Sequence, residues 1–123
     1  MQLLKYRLYT HNQDQKMRSE VIELGRLGPL PSYNSVLADP NGEALVNRYG
    51  NLIASIEPPV TDAEARVLVG IFGPDECFEV EWRLVHLIET APNWPLSDCL
   101  MDSGNEWIAL LKQRVENAKR NRD

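Results

Sequence analysis

Two cysteines in 123 residues, Cys77 and Cys99, are too few for a disulfide framework. One bridge between them fits the count, and so do two reduced thiols. Nothing else points to an oxidising compartment, so buried free thiols are expected. The two histidines, His11 and His86, stand far apart, and no C-x-x-C or H-x-x-x-H pair accompanies them. Zinc needs three or four converging ligands, so no metal site is expected. Asp98 and Asp102 are four apart, but the calcium-loop pattern is missing. There is no glycine-rich phosphate loop and no G-x-S-x-G nucleophile turn. Apolar stretches are a few residues long, against the ~20 that a membrane-spanning helix needs. The chain starts without a basic n-region or an apolar h-region. These gaps lead to an expected cytoplasmic protein with no cofactor, no metal and no membrane contact.

Positive charge is the scarcest commodity in the body of the chain. Residues 31–106 hold thirteen acidic side chains against three basic ones, Arg48, Arg66 and Arg83, a local balance of −10 within a net charge of −5. The flanks reverse the sign, at +2 for residues 1–30 and +3 for residues 107–123. A folded surface of this kind attracts basic partners and repels phosphate, so nucleic-acid binding is not expected. The tail cations Lys119, Arg120 and Arg122 suit the end of a helix, where positive charge complements the dipole.

What the chain does contain is helical patterning in a length that suits one domain over 1–123. Residues 14–24 place Met17, Val21 and Leu24 on one face. Gly25, Gly28, Pro29 and Pro31 then make a connector. From Pro40 to Ile56, Leu45, Tyr49, Leu52, Ile53 and Ile56 form a stripe, with Asp39 as cap. Thr61 and Glu64 form a capping box for a helix that turns Leu68, Ile71 and Phe72 inward and stops at Gly73-Pro74. Ser103 and Glu106 repeat the signal before a last helix with Trp107, Leu111 and Val115 on one face. Residues 1–9 alternate loosely, as a short strand would, although Leu4 and Leu8 also share a helix face.

The segment between Pro74 and Pro92 can be read in two ways. Phe78 to Leu84 alternates apolar and charged, a strand signature. The run then continues through Val85-His86-Leu87-Ile88, which breaks the period of two. Seventeen residues also exceed the usual strand length of ~5–6, so a central, largely buried helix is expected. The fold class is therefore mostly α: a compact bundle of four to five helices, with a short N-terminal strand as an optional addition. The alternative is an α+β fold with a strand at 77–84.

On the helix reading Glu81 falls within the apolar arc, where a carboxylate is costly unless paired or protonated. Glu79, Arg83 and His86 share the polar stripe, with Glu79 and Arg83 spaced as an i, i+4 pair. No nucleophile and base converge, so no catalytic residue is assigned. Asp62, Glu64, Asp75, Glu76 and Glu79 cluster in sequence around two helix starts, and Trp94 sits in a stiff Pro92-Asn93-Trp94-Pro95 loop that could anchor an interface. These six are the candidate partner-binding residues; Tyr33 and Asn34 are weaker candidates of the same kind. Acidic first turns also complement helix dipoles, so part of the cluster is structural. The expected function is that of a small acidic binding protein. A bacterial immunity protein fits best, one that covers the basic surface of a cognate toxin, for example a nuclease. An adaptor or secretion chaperone is the alternative, and an enzyme of unrecognised type comes third.

Overall fold

The computed structural model describes residues 17–75, 79–102 and 104–122. Among them are six α-helices and no strand: α1 (Ser19–Leu27), α2 (Tyr33–Ala38), α3 (Gly42–Ala54), α4 (Asp62–Val69), α5 (Val80–Ile88) and α6 (Glu106–Arg122), with a 3-10 turn at Ser97–Leu100. The mostly α bundle agrees with the patterning, with the short α2 added to the expected helices. The alternative strand at 77–84 is corrected over its described part, since residues 80–84 are helical. The suggested strand over residues 1–9 and residues Glu76, Cys77 and Ser103 lie outside the described residues.

Helices α1 and α5 both pack on α3 and α4. Leu84, Val85 and Ile88 of α5 are fully buried, as are Val21 and Leu24 of α1, Leu68 of α4 and Leu111 of α6, all in one apolar cluster. Six of the nine residues of α5 are buried, which explains why its sequence carries so narrow a polar stripe. Trp107 of α6 stacks on Phe72, with centroids 5.8 Å apart, and meets Trp82 of α5 edge-on at 5.4 Å. Burial of Phe72 and Trp107 supplies apolar area beyond that of the aliphatic stripes.

Local chemistry sets the helix ends. The capping box at α4 forms as expected: Glu64 N donates to Thr61 Oγ1 at 3.1 Å, and Thr61 N donates to Glu64 Oε1 at 2.9 Å. At α6 Asn105 acts as a cap, its Oδ1 accepting from Trp107 N at 2.9 Å and Ile108 N at 3.2 Å. The Asn105 amide also donates to the carbonyls of Phe72 and Gly73, at 3.4 and 3.2 Å. An asparagine caps a helix and supplies these donors at once, which a serine cannot do. Helix α3 starts at Gly42 rather than Pro40. Asp39 closes a turn by accepting from Asn41 N at 2.8 Å.

Two close approaches hold the connectors. A Cβ on Gly42 would press on the Val36 backbone, with its C and Cα at 2.9 Å, and one on Gly73 would press on the Leu30 backbone. The chain around Leu30 lies against the exit of α4, where Leu30 N donates to Ile71 O at 2.9 Å. The buried Tyr49 hydroxyl donates toward the carbonyls at the end of α1, nearest to Gly28 O at 2.8 Å. No helix among the described residues is long and apolar enough to cross a membrane.

Candidate functional site

The five candidate residues among those described part company in the fold. Glu64 is 1% exposed and accepts from Arg18 N, Nε and Nη2, each at 3.0 Å. Burial pushes its carboxyl up, but the hydrogen bonds from Arg18 and Thr61 outweigh this and hold it below the ordinary carboxylate range. Glu64 thus belongs to the interior and offers no surface charge, which corrects its assignment to a partner face. Asp62 is turned toward the proline-flanked loop, where it accepts from Asn93 N at 3.1 Å and Asn93 Nδ2 at 2.7 Å. Trp94 in that loop is half-buried against the core. Asp75 accepts from Tyr33 N at 3.0 Å, and Glu79 is exposed just before α5. Asp62 and Trp94 therefore lie by the C-terminal end of α5 and Glu79 by its start, about 13 Å away at 1.5 Å per helical residue. The cluster seen along the chain is two groups in space.

Several other carboxylates are neutralised in place. Arg114 makes two bonds of 2.7 Å to Glu89, Arg66 reaches Asp98 at 2.9 Å, and Arg48 pairs with Glu23. The Glu79–Arg83 pair expected from spacing is not among the ion pairs of the described residues. The reason is backbone: Glu79 has φ 67°, left-handed, and so sits off the helical path that would stack it over Arg83.

One surface does gather free charge around apolar side chains. Helix α2 leaves Tyr33 and Leu37 exposed at 44% and 64%. Their i, i+4 spacing puts them on one side of the helix. Beside Leu37 opens a cleft of about 520 Å³ lined by Val36, Pro40 and Val46 and by the carboxylates Asp39 and Glu43. It adjoins a notch of about 230 Å³ between α3 and the start of α5, where Asn47, Gly50, Asn51, Glu79 and Arg83 meet. Val46 and Asn47 line both. Asp39 and Glu43 thus line the cleft beside Leu37, Asp75 sits at the Tyr33 amide, Glu79 lines the adjoining notch, and Arg83 is the cation among the lining side chains. Patterning missed Leu37, Asp39 and Glu43. The available signal was the spacing of Tyr33 and Leu37 after Ser32, a helix cap whose Oγ accepts from Ser35 N at 3.1 Å.

A second groove runs along α6, where Trp94, Pro95, Val115 and the 77%-exposed Met101 make apolar walls. Its charges are mixed in sign and largely paired with each other, so it has no electrostatic bias. Glu81 is fully buried while His86, on the same helix, is exposed and beside Trp82. Cys99 is a half-buried free thiol. Burial pushes it up, and Asp98 adds to this, so a thiolate nucleophile is disfavoured. No group of three or more potential metal ligands occurs among the described residues. No family model matches the chain, and neither a curated protein nor a solved structure matches it.

Proposed function

We propose that this is a small acidic binding protein that docks a basic macromolecule on the face made by α2, α3 and the start of α5, most simply as a cytoplasmic immunity protein covering the basic surface of a toxin domain. The observation that supports this reading is the pair of exposed apolar side chains, Tyr33 and Leu37, with Asp75 bonded at the Tyr33 amide, Asp39 and Glu43 in the cleft beside Leu37, and Glu79 in the adjoining notch. Apolar anchors inside a polar rim are the usual source of interface affinity. The surrounding negative charge steers a basic partner and speeds its arrival. The same carboxylates argue against self-association through this face. A two-fold contact is isologous, so it would set this acidic patch against its own copy.

The test pairs the chain with a toxin-type protein encoded beside its gene. Growth rescue and affinity at low and high salt are the readouts. Leu37→Asp is expected to abolish rescue, and Glu43→Lys to weaken binding mainly at low salt. Variants of both positions that rescue and bind like the parent would overturn the proposal.

A further inference from the structure

We propose that the notch over Gly50 receives a lysine- or arginine-bearing stretch of the partner's main chain, and that Gly50 is bare to let that chain approach. This rests on the docking reading above and assigns the contact that gives it specificity. Glycine weakens a helix interior relative to alanine, so a mid-helix glycine calls for a reason. At Gly42 and Gly73 the reason is internal, because an added Cβ would strike the backbone of Val36 or Leu30. At Gly50, in the middle of α3, a Cβ would meet nothing within 4 Å. The fold leaves that space open, and it forms the floor of the notch of about 230 Å³.

The walls suit a peptide. Asn47 and Asn51 are one helical turn apart on α3, and each amide offers a donor and an acceptor, the pair of functions that a main chain presents. Arg83 adds donors for a carbonyl. Glu79 supplies the countercharge for a cationic side chain. Its side chain makes no capping bond to α5, and it has no ion pair among the described residues. It is also the one non-glycine with positive φ among those residues, a conformation that costs energy and collects at binding sites. With Asp39 and Glu43 alongside, the combined surface carries more acid than the single Arg83 offsets.

The experiment uses the full chain labelled with ¹⁵N and a deca-lysine peptide, with deca-glutamate as control. Deca-lysine is expected to give saturable, salt-sensitive shifts at the Gly50 amide and the Asn47 and Asn51 side-chain amides. Gly50→Gln fills the notch with a helix-favouring residue. It should raise the dissociation constant read at those amides by about tenfold while the melting temperature does not fall. Glu79→Gln, which keeps the size and removes the charge, should weaken the same shifts. Shifts confined to Asp39, Glu43 and Leu37 would refute the notch and leave the docking face standing. No shifts anywhere would refute both. Parent-like binding by Gly50→Gln or Glu79→Gln would overturn the inference.

Discussion

Deleting the Arg18 guanidinium tests whether Glu64 serves the fold or a partner. The Glu64 carboxylate, 1% exposed, accepts from Arg18 N, Nε and Nη2 at 3.0 Å and from Thr61 N at 2.9 Å. Arg18→Ala removes the two guanidinium bonds and keeps the two backbone bonds. It also takes a donor from the Pro59 carbonyl, now bonded at 2.8 Å, and from the Glu57 carbonyl. Breaking a buried ion pair costs about 3–5 kcal/mol. The Arg18 side chain is 34% exposed, however, so water can enter the vacated place. With that discount the expected loss is about 2–3 kcal/mol, which lowers the melting temperature by roughly 10 °C in a domain of this length. In urea the midpoint should fall with the slope unchanged. Arg18→Lys keeps the charge but loses the fork, and should fall between the two. The pH dependence has a definite sign. Glu64 is held below the ordinary range in the folded state. Its contribution is therefore complete above the unfolded value near ~4.3 and is lost as pH falls through the lower folded value. The stability gap between parent and Glu64→Gln should close in acid. An Arg18→Ala protein that melts within about 2 °C of the parent would refute the assignment of Glu64 to the interior, as would a gap indifferent to pH.

Other perturbations separate packing from function. Gly73→Ala should cost about 1–3 kcal/mol in thermal unfolding, because the new Cβ meets the Leu30 backbone rather than a movable side chain. Asn105→Ala should cost about 1–2 kcal/mol through the lost cap of α6, with earlier amide exchange over its first turn. Gly50→Ala should gain about 0.5–1 kcal/mol, since its Cβ has open space; a loss would mean that the fold does require glycine there.

Helix α5 and the place of Glu81 within its apolar arc were legible from sequence because a helical wheel fixes the angle of every side chain once the period is chosen; that the carboxylate is fully buried was not. The length between Pro74 and Pro92 chose the period. The Thr61–Glu64 box was legible too, since its reciprocal bonds span three residues. Its consequence for function was not. Arg18, 46 residues earlier in the chain, completes the shell around Glu64, and no spacing rule reaches that far. Helix α2 escaped notice because six residues are too few to establish a period. The capping-box pattern points to Ser103 and does not reveal the role of Asn105, because local spacing is blind to the Phe72 and Gly73 carbonyls that its amide reaches.

The same distinction bears on how the acidic segment can work. A run of acidic residues in sequence predicts the sign of the field around the body of the protein, because distant charges add regardless of detail. It does not predict which carboxylates share a surface. In the fold, Glu64 and Glu81 are drawn inside and Glu89 and Asp98 are paired with arginines. The charge left free beside apolar area is the set around Leu37. A field without an anchor gives fast and weak encounters, which salt erases. Leu37 at 64% exposure adds the short-range contact that the field lacks. Charge reversal at Glu43 should therefore act mainly on the association rate and its salt dependence, and Leu37→Asp mainly on the dissociation rate, which rapid-mixing kinetics can separate. If both variants changed only the association rate, the apolar face would be incidental and the binding purely electrostatic.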